Sequence, residues 1–401
     1  MNDAKPLPKC RLAVVKIASR CNLNCSYCYM YHMGDETYRE QPKFMSDAVL
    51  DALVERCATH CVTHTIPSFT FALHGGEPLL AGRRRFERLI EYAQRRFGAI
   101  GVDARFVVQT NGVLLDDVWC RNLKAGGVRV GISIDGPETV HNRQRVTHRG
   151  RGSYAAVVSG FRCAQGHGLK PGLLVVIDPT SNAQEAYEHL KALLPDQVDF
   201  LLPEGNHALP PAGLGLGSCG TPYANWLLEV FERWWAESAP FRVRIFEQIV
   251  GAALGVPFRS DALGGQENEV LVVETNGDIG PVDVLRAALP GSSRTGVNVL
   301  ANSLDEGLQQ ETVALYHASH SAICAQCRRC PINQICGGGY LSHRYARANG
   351  FENPSVYCGD LTALIVTLRE RALSILSLTV REQADLLPLT LAEAVALQRG
   401  A

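Results

Sequence analysis

Cys21, Cys25 and Cys28 stand in the run SRCNLNCSYCYMYH with C-x3-C-x2-C spacing, directly after an apolar stretch. Three thiolates this close can hold one face of a [4Fe–4S] cluster and leave the fourth iron open to a substrate or an organic cofactor. Zinc is the competing chemistry: thiolates bind it too, and His32 is placed to complete a Cys3His set. A second group, Cys327-x2-Cys330-x5-Cys336-x21-Cys358, offers four thiolates and therefore a closed site. Cys324 is a fifth candidate there, since it makes a competing C-x2-C with Cys327. Between the two groups lies His74-Gly75-Gly76-Glu77-Pro78. Its glycines let backbone approach a ligand closely, and its carboxylate can hold an ammonium group. The same five residues also suit an ordinary strand-to-helix turn.

The elements that must position these groups are legible as alternation. Short apolar runs predict strands at Leu12–Ile17, Phe69–His74, Ala104–Gln109, Val128–Ile134, Gly172–Ile177 and Val198–Leu202. Helical periodicity falls between them at Asp47–Val62, Arg83–Phe97, Asp116–Lys124, Tyr154–Gln165 and Ala183–Leu194, with Ser46 and Ser153 at N-cap positions. Repeated βα units predict an α/β fold with a parallel sheet, here an open, partial (β/α)6 barrel. In such barrels chemistry sits at the C-terminal ends of strands. The cysteine triad, HGGEP, QTNG and SIDG all follow expected strands, so one rim is expected to carry them. After Leu202 a Pro/Gly-rich stretch leads to a helix near Tyr223–Glu237. A hairpin follows around Thr275-Asn276-Gly277, then the second cysteine group and a helix near Leu361–Leu376. The expected domains are 1–215 for the barrel, 216–380 for the second cysteine domain and 381–401 for a tail.

Composition narrows the class. The 401 residues are 46% hydrophobic with a formal net charge of −1, which gives no bulk attraction to nucleic acid or membrane. No apolar run reaches transmembrane length and no signal peptide is evident. Fourteen cysteines without a secretion signal point to a reducing cytoplasm, where such clusters are metal or catalytic sites rather than disulfides. Cys10, Cys57, Cys61, Cys120, Cys163 and Cys219 belong to neither group. Cys57 and Cys61 share a helical face beside His60 and His64, the pattern of buried thiols more than of a metal site.

Together CNLNCSYCY, GGEP, QTNG and SIDGP resemble the radical S-adenosylmethionine (SAM) superfamily. That resemblance implies that the open iron chelates SAM, with Tyr29 beside the adenine and Gly75, Gly76 and Glu77 at the methionine amine. It places Asn111, Ser133 and Asp135 at the SAM pocket. Arg145 pairs with the SAM carboxylate, with Arg143 as the neighbouring alternative; a guanidinium suits a carboxylate through its two-pronged geometry. The Cys327/Cys330/Cys336/Cys358 spacing resembles the SPASM extension of peptide-modifying members, which implies an auxiliary [4Fe–4S] cluster. Full SPASM domains often hold two such clusters, with a cysteine where this chain has Val282 in GDIGPVDV. One auxiliary cluster is therefore expected. The aspartate matching Asp283 is the proposed base in relatives that form formylglycine, though Asp283 also suits a turn.

A finer resemblance rests on DETYREQP, HGGEPLLAG, HNRQRVTHRGRGSY and CRRCPINQICGGGYLSHRYARANGFENPSVYCGDL. These are similar to the FxsB group of radical SAM/SPASM maturases of ribosomal peptides, several of which are cyclophane synthases. The resemblance implies a cytoplasmic enzyme with two [4Fe–4S] clusters and SAM. Its partners are a ribosomal precursor peptide and a reductant such as flavodoxin or ferredoxin, not nucleic acid or a membrane. A 5′-deoxyadenosyl radical abstracts hydrogen from the peptide, and loss of a second electron and a proton completes a carbon–carbon cross-link. A carbon–oxygen link, a thioether, formylglycine or epimerisation are the alternative outcomes, and a non-catalytic iron–sulfur or zinc protein that binds peptides is the alternative class. The eleven residues before the first strand leave no room for a separate precursor-recognition domain, so the core, the hairpin or another protein is expected to read the peptide.

Overall fold

The computed structural model of the protein describes residues 8–215, 220–383, 386 and 388–399. Cys219 lies outside the described residues. Two compact units emerge. The first comprises residues up to Ile134, Glu138–Leu174 and Glu269–His317; the second comprises Asp135–Pro137, Val175–Asn268 and the chain from Ala318 onward.

In the first unit, strands and helices alternate: β1 (Leu12–Ala18), α1 (Asp47–Thr63), β2 (Ser68–Gly75), α2 (Arg83–Gly98), β3 (Asp103–Thr110), α3 (Asp117–Ala125), β4 (Val128–Ser133), α4 (Glu138–Gln144), α5 (Tyr154–Gly166) and the start of β5 (Gly172–Val176). The first five strands expected from sequence are all present, with ends shifted by about one residue. Strands β1 to β5 pair in parallel with their sequence neighbours. Parallel strands buried on both faces need apolar residues at nearly every position, and LAVVKIA and SFTFALHG supply them. Phe71 and Phe106 stack at 5.7 Å between centroids and Phe97 of α2 meets Phe71 edge-on, closing one face of the sheet. Ser46 caps α1 by accepting from Val49 N–H at 3.3 Å, as its position suggests. Ser153 does not cap α5. Its hydroxyl instead donates to Arg145 O at 2.8 Å and meets His141 Nε2 at 3.0 Å, because the preceding loop offers a nearer partner.

The hairpin joins this sheet. Strand β8 (Val270–Val273) pairs in parallel with β1, and β9 (Ile279–Gly280) pairs antiparallel with β8. Gly277, at φ +96°, turns the backbone between them as the Asn-Gly signal requires. Short helices α9 (Leu304–Leu308) and α10 (Glu311–His317) complete the unit.

The second unit holds α6 (Ala183–Leu193), β6 (Gln197–Leu201), α7 (Pro222–Ala236), β7 (Arg242–Val243) and α8 (Arg244–Ala253). It continues through α11 (Ala325–Arg329), α12 (Asn333–Cys336), α13 (Cys358–Leu373), α14 (Leu378–Gln383) and α15 (Leu391–Arg399). Its core packs α13 against α7, α8 and α15, with Trp226, Phe200, Phe246 and Phe231 linked in a chain of ring contacts. Helix α13 begins at Cys358, three residues before the expected Leu361. Among the described residues no helix is long and apolar enough to cross a membrane.

Candidate functional site

The cysteine loop leaves the C-terminal end of β1 and is held by two neighbours. Gly76 N–H donates to Ala18 O and Glu77 N–H to Arg20 O, both at 2.9 Å. A Cβ on Gly75 would stand 2.0 Å from Ala18 O, and one on Gly76 would stand 2.0 Å from Tyr31 Oη and 2.5 Å from the Arg20 backbone. The glycine pair is thus needed for the loop itself to close on β2. On its other side, Asn24 N–H donates to Val146 O at 2.7 Å, Ser26 N–H to Gln144 O at 3.0 Å, and His148 Nε2 contacts Cys21 O at 2.9 Å. This strap brings Arg145 to the loop, where it donates to Tyr27 Oη at 2.6 Å.

The carboxylate of Glu77 is fully buried. It accepts from Leu79 N–H at 3.0 Å, Thr110 Oγ1 at 2.7 Å and Asn111 N–H at 2.8 Å, so it fastens the GGEP turn to the end of β3. Burial pushes its acid up while these three donors and Arg145 pull it back. The Asn111 side chain reaches Asn22 Oδ1 at 2.7 Å and Cys21 Sγ at 3.8 Å. Ser133, at the end of β4, accepts from Gln109 Nε2 at 3.1 Å. Within the second unit, Asp135 accepts from Val176 N–H at 3.2 Å. Arg143 lies in the last turn of α4.

Asp283 is held by two side chains of the first unit. It opens a short turn after β9, buried at 8% exposure. Its Oδ2 accepts from Tyr29 Oη at 2.7 Å and is salt-bridged to Lys16 Nζ. Lys16 in turn contacts His74 Nδ1 at 3.1 Å. Burial pushes the Lys16 ammonium down to about 7; Glu274 opposes that fall, and the Asp283 carboxylate beside it favours the charged form. Burial, and then Lys16, hold His74 well below the usual imidazole range. Lys16 escaped the sequence reading, although a lone charge inside the apolar run LAVVKIA was a signal. Val282 is buried.

Cys327, Cys330, Cys336 and Cys358 line one cavity with Ile332, Leu361 and Gln398. Cys324 hydrogen-bonds Cys327 but is not among the cavity's lining residues. Gln398 of α15 donates to Cys330 Sγ at 3.3 Å and to Thr362 Oγ1 at 2.7 Å. Arg344 is fully buried and spends its donors on the carbonyls of Ser319, Gly337, Gly338 and Gly339. Among the described residues no carboxylate pairs with it; the anionic groups that act on it are Cys327, Cys336 and Cys324. A buried cation without a carboxylate calls for a negative group at those sulfurs.

Both cysteine sets fit iron–sulfur clusters better than single zinc ions. In tetrahedral zinc the sulfurs would stand about 3.8 Å apart, given Zn–S bonds of about 2.3 Å. Among the described residues no three donor atoms from either set lie mutually within 4.8 Å. The His32 ring turns to Asn24 Oδ1 at 3.0 Å.

A parallel sheet with a cysteine loop after its first strand defines a class, and residues 15–193 match the Radical SAM superfamily model. Over that stretch the chain is similar to the radical SAM enzymes. Among particular relatives, it is 25% identical over 364 residues to the cysteine-type anaerobic sulfatase-maturating enzyme of Clostridium perfringens, covering 88% of this chain and 94% of that one. It is 26% identical over 367 residues to the serine-type enzyme of Bacteroides thetaiotaomicron, covering 86% and 84%. The structure of native anSMEcpe with bound AdoMet superposes with a TM-score of 0.78 at 22% identity, over 91% of this chain and 99% of that one. Streptococcus suis SuiB bound to precursor peptide SuiA gives 0.57 at 11% identity, over 87% and 76%. These two structural matches bear on fold alone.

Proposed function

We propose that this protein is a radical SAM enzyme that oxidises a ribosomally made peptide, closing a cyclophane-type carbon–carbon cross-link between two of its side groups. The observation that carries the reading is the buried Asp283 carboxylate, held between Lys16 and the Tyr29 of the cysteine loop. When bound, a [4Fe–4S] cluster with SAM supplies a 5′-deoxyadenosyl radical able to take hydrogen from an unactivated carbon. Cys21, Cys25 and Cys28 are the residues to hold that cluster, and Cys327, Cys330, Cys336 and Cys358 a second. Tyr29, Gly75, Gly76, Glu77, Asn111, Ser133, Asp135 and Arg145 contact SAM. The peptide radical must then lose one electron, which the cluster held by Cys327, Cys330, Cys336 and Cys358 would accept when bound, and one proton. Asp283 accepts the proton; Lys16 keeps it ionised beforehand and Tyr29 orients it. The long phrase GGGYLSHRYARANGFENPSVYC supports the cross-linking group, and a flavodoxin or ferredoxin is the expected reductant.

A second reading, formylglycine formation, is favoured by the curated relatives, which are sulfatase-maturating enzymes of cysteine and serine type. Co-expression with a small peptide encoded beside this gene, followed by mass spectrometry, separates the two. Cross-linking removes two hydrogen atoms, blocks fragmentation between the joined residues and leaves nothing for a hydrazide to trap. Formylglycine leaves an aldehyde that the hydrazide captures. A gained oxygen, or an unchanged mass with an inverted stereocentre, would sink both while leaving the radical chemistry standing.

A further inference from the structure

We propose a zinc site built from Asp117, Cys120, Cys163 and His167 on helices α3 and α5 of the first unit. Asp117 and Cys120 are three apart on α3; Cys163 and His167 are four apart across the last turn of α5, with His167 as its C-cap. Those spacings put each pair on one helix face, and the two helices pack together. Cys163 Sγ lies 3.7 Å from Cys120 Sγ and 3.5 Å from Asp117 Oδ1, and His167 Nε2 lies 2.8 Å from the same oxygen. The donor atoms of Asp117, Cys163 and His167 are all within 4.8 Å of one another. A zinc tetrahedron with Zn–S of about 2.3 Å and Zn–O of about 2.1 Å has edges of about 3.8 Å between sulfurs and about 3.6 Å between sulfur and oxygen. Two edges are therefore already at ligand spacing. The third, between His167 and Asp117, is at hydrogen-bond length and opens by roughly 0.6 Å when each atom bonds the ion instead. Cys120, fully buried at 3.7 Å from Cys163, lies outside the three donors that are mutually within 4.8 Å, so its side chain must turn toward the ion to supply the fourth corner.

A comparison inside the same unit shows why this cluster and not another. His60, His64 and Asp305 also converge. There, however, Cys10 N–H donates to His60 Nε2 at 3.0 Å, which fixes the His60 proton on Nδ1, the atom facing Asp305. That nitrogen has no lone pair to give. The His167 side chain is 25% exposed, so its proton can move to Nδ1 in contact with water and free Nε2 for metal. Binding releases the two thiol protons to solvent, while Asp117 is already ionised, and no oxidant is needed. Two thiolates, a carboxylate and Zn2+ sum to a single negative charge. Lys124, bonded to His167 O at 2.8 Å, and Arg121 lie close enough to offset it. Mixed sulfur, nitrogen and oxygen donors favour zinc over calcium or magnesium. The ion would clamp the end of α5 to the start of α3.

The test uses untagged protein with its iron–sulfur sites loaded anaerobically, incubated with Zn2+ and desalted. Wild type is expected to retain one zinc per chain more than Cys163→Ser and His167→Ala at equal iron, and its zinc-edge X-ray absorption to show two sulfur and two lighter scatterers. Equal zinc in all three proteins would overturn the proposal. So would a four-sulfur shell, which assigns the ion to the Cys327 group, or a Cys120–Cys163 disulfide in the anaerobic protein.

Discussion

Asp283 and Lys16 form an ion pair with almost no access to water, so each holds the other's charge in place. Removing one member strands its partner, at a cost of about 3–5 kcal/mol. This gives a way to separate chemistry from folding. Asp283→Asn is expected to keep forming 5′-deoxyadenosine while product formation falls by about 10²–10⁴-fold, the usual contribution of a positioned base. Lys16→Met/Asp283→Asn is expected to recover stability lost in Asp283→Asn, read by urea unfolding of the cluster-loaded protein, without recovering product. Normal product yield in either protein would move the base elsewhere, with His74 and then His343 next to test. Tyr29→Phe removes the hydroxyl that bonds Asp283 and leaves the ion pair intact, so a fall in product at unchanged 5′-deoxyadenosine formation reports orientation of the carboxylate. The sequence named Asp283 and Tyr29 but not their link: they are 254 residues apart, and only pairing of β8 with β1 brings the hairpin's end to the lysine.

At the level of elements, the glycine pair after β2 is a packing device as much as a ligand site. Gly76→Ala sets a methyl group against the Arg20 backbone, which cannot yield as a flexible side chain would. That variant is expected to lose the first cluster, with iron falling from about eight to about four per chain. Gly98→Ala, with nothing within 4 Å, serves as control and keeps its iron. Helix α15 offers a second handle. Gln398 donates to a Cys330 sulfur, and hydrogen bonds to cluster sulfurs favour the reduced state. Gln398→Leu is expected to lower the midpoint potential of the second cluster, read by redox titration with electron paramagnetic resonance; an unchanged potential would show that the bond does not tune it. Long periodic elements such as β2 and α2 were legible because burial on both faces, or a single apolar stripe, writes itself into every turn. Helices such as α9, α11 and α12 were not, since four or five residues carry no period; caps and the packing around the cysteines make them. Ser153 misled for a related reason: a serine before a helix is a cap only if no better partner stands nearby.

For the molecule as a whole, iron content is the plainest check. Two clusters of four irons predict about eight per chain, and about twelve would mean that leftover cysteines build a third. Replacing Cys21, Cys25 and Cys28 together by Ala is expected to leave about four and to abolish 5′-deoxyadenosine formation; wild-type SAM cleavage in that protein would refute the assignment of the first cluster. The sequence laid out both cysteine sets in full, yet it did not reveal that residues 269–317 belong to the same compact unit as the cysteine triad, because nothing local to a hairpin says which sheet it joins. That return of the backbone to β1 has a temporal side. Lys16 is made early, and its counter-charge arrives 267 residues later. At synthesis speeds of about 5–20 residues per second, the ribosome needs roughly 10–50 s to supply it. Throughout that interval the nascent β1 carries a cation it cannot bury, so its lysine end must stay in water, and the triad is open to whatever delivers iron before the protein can shut behind it.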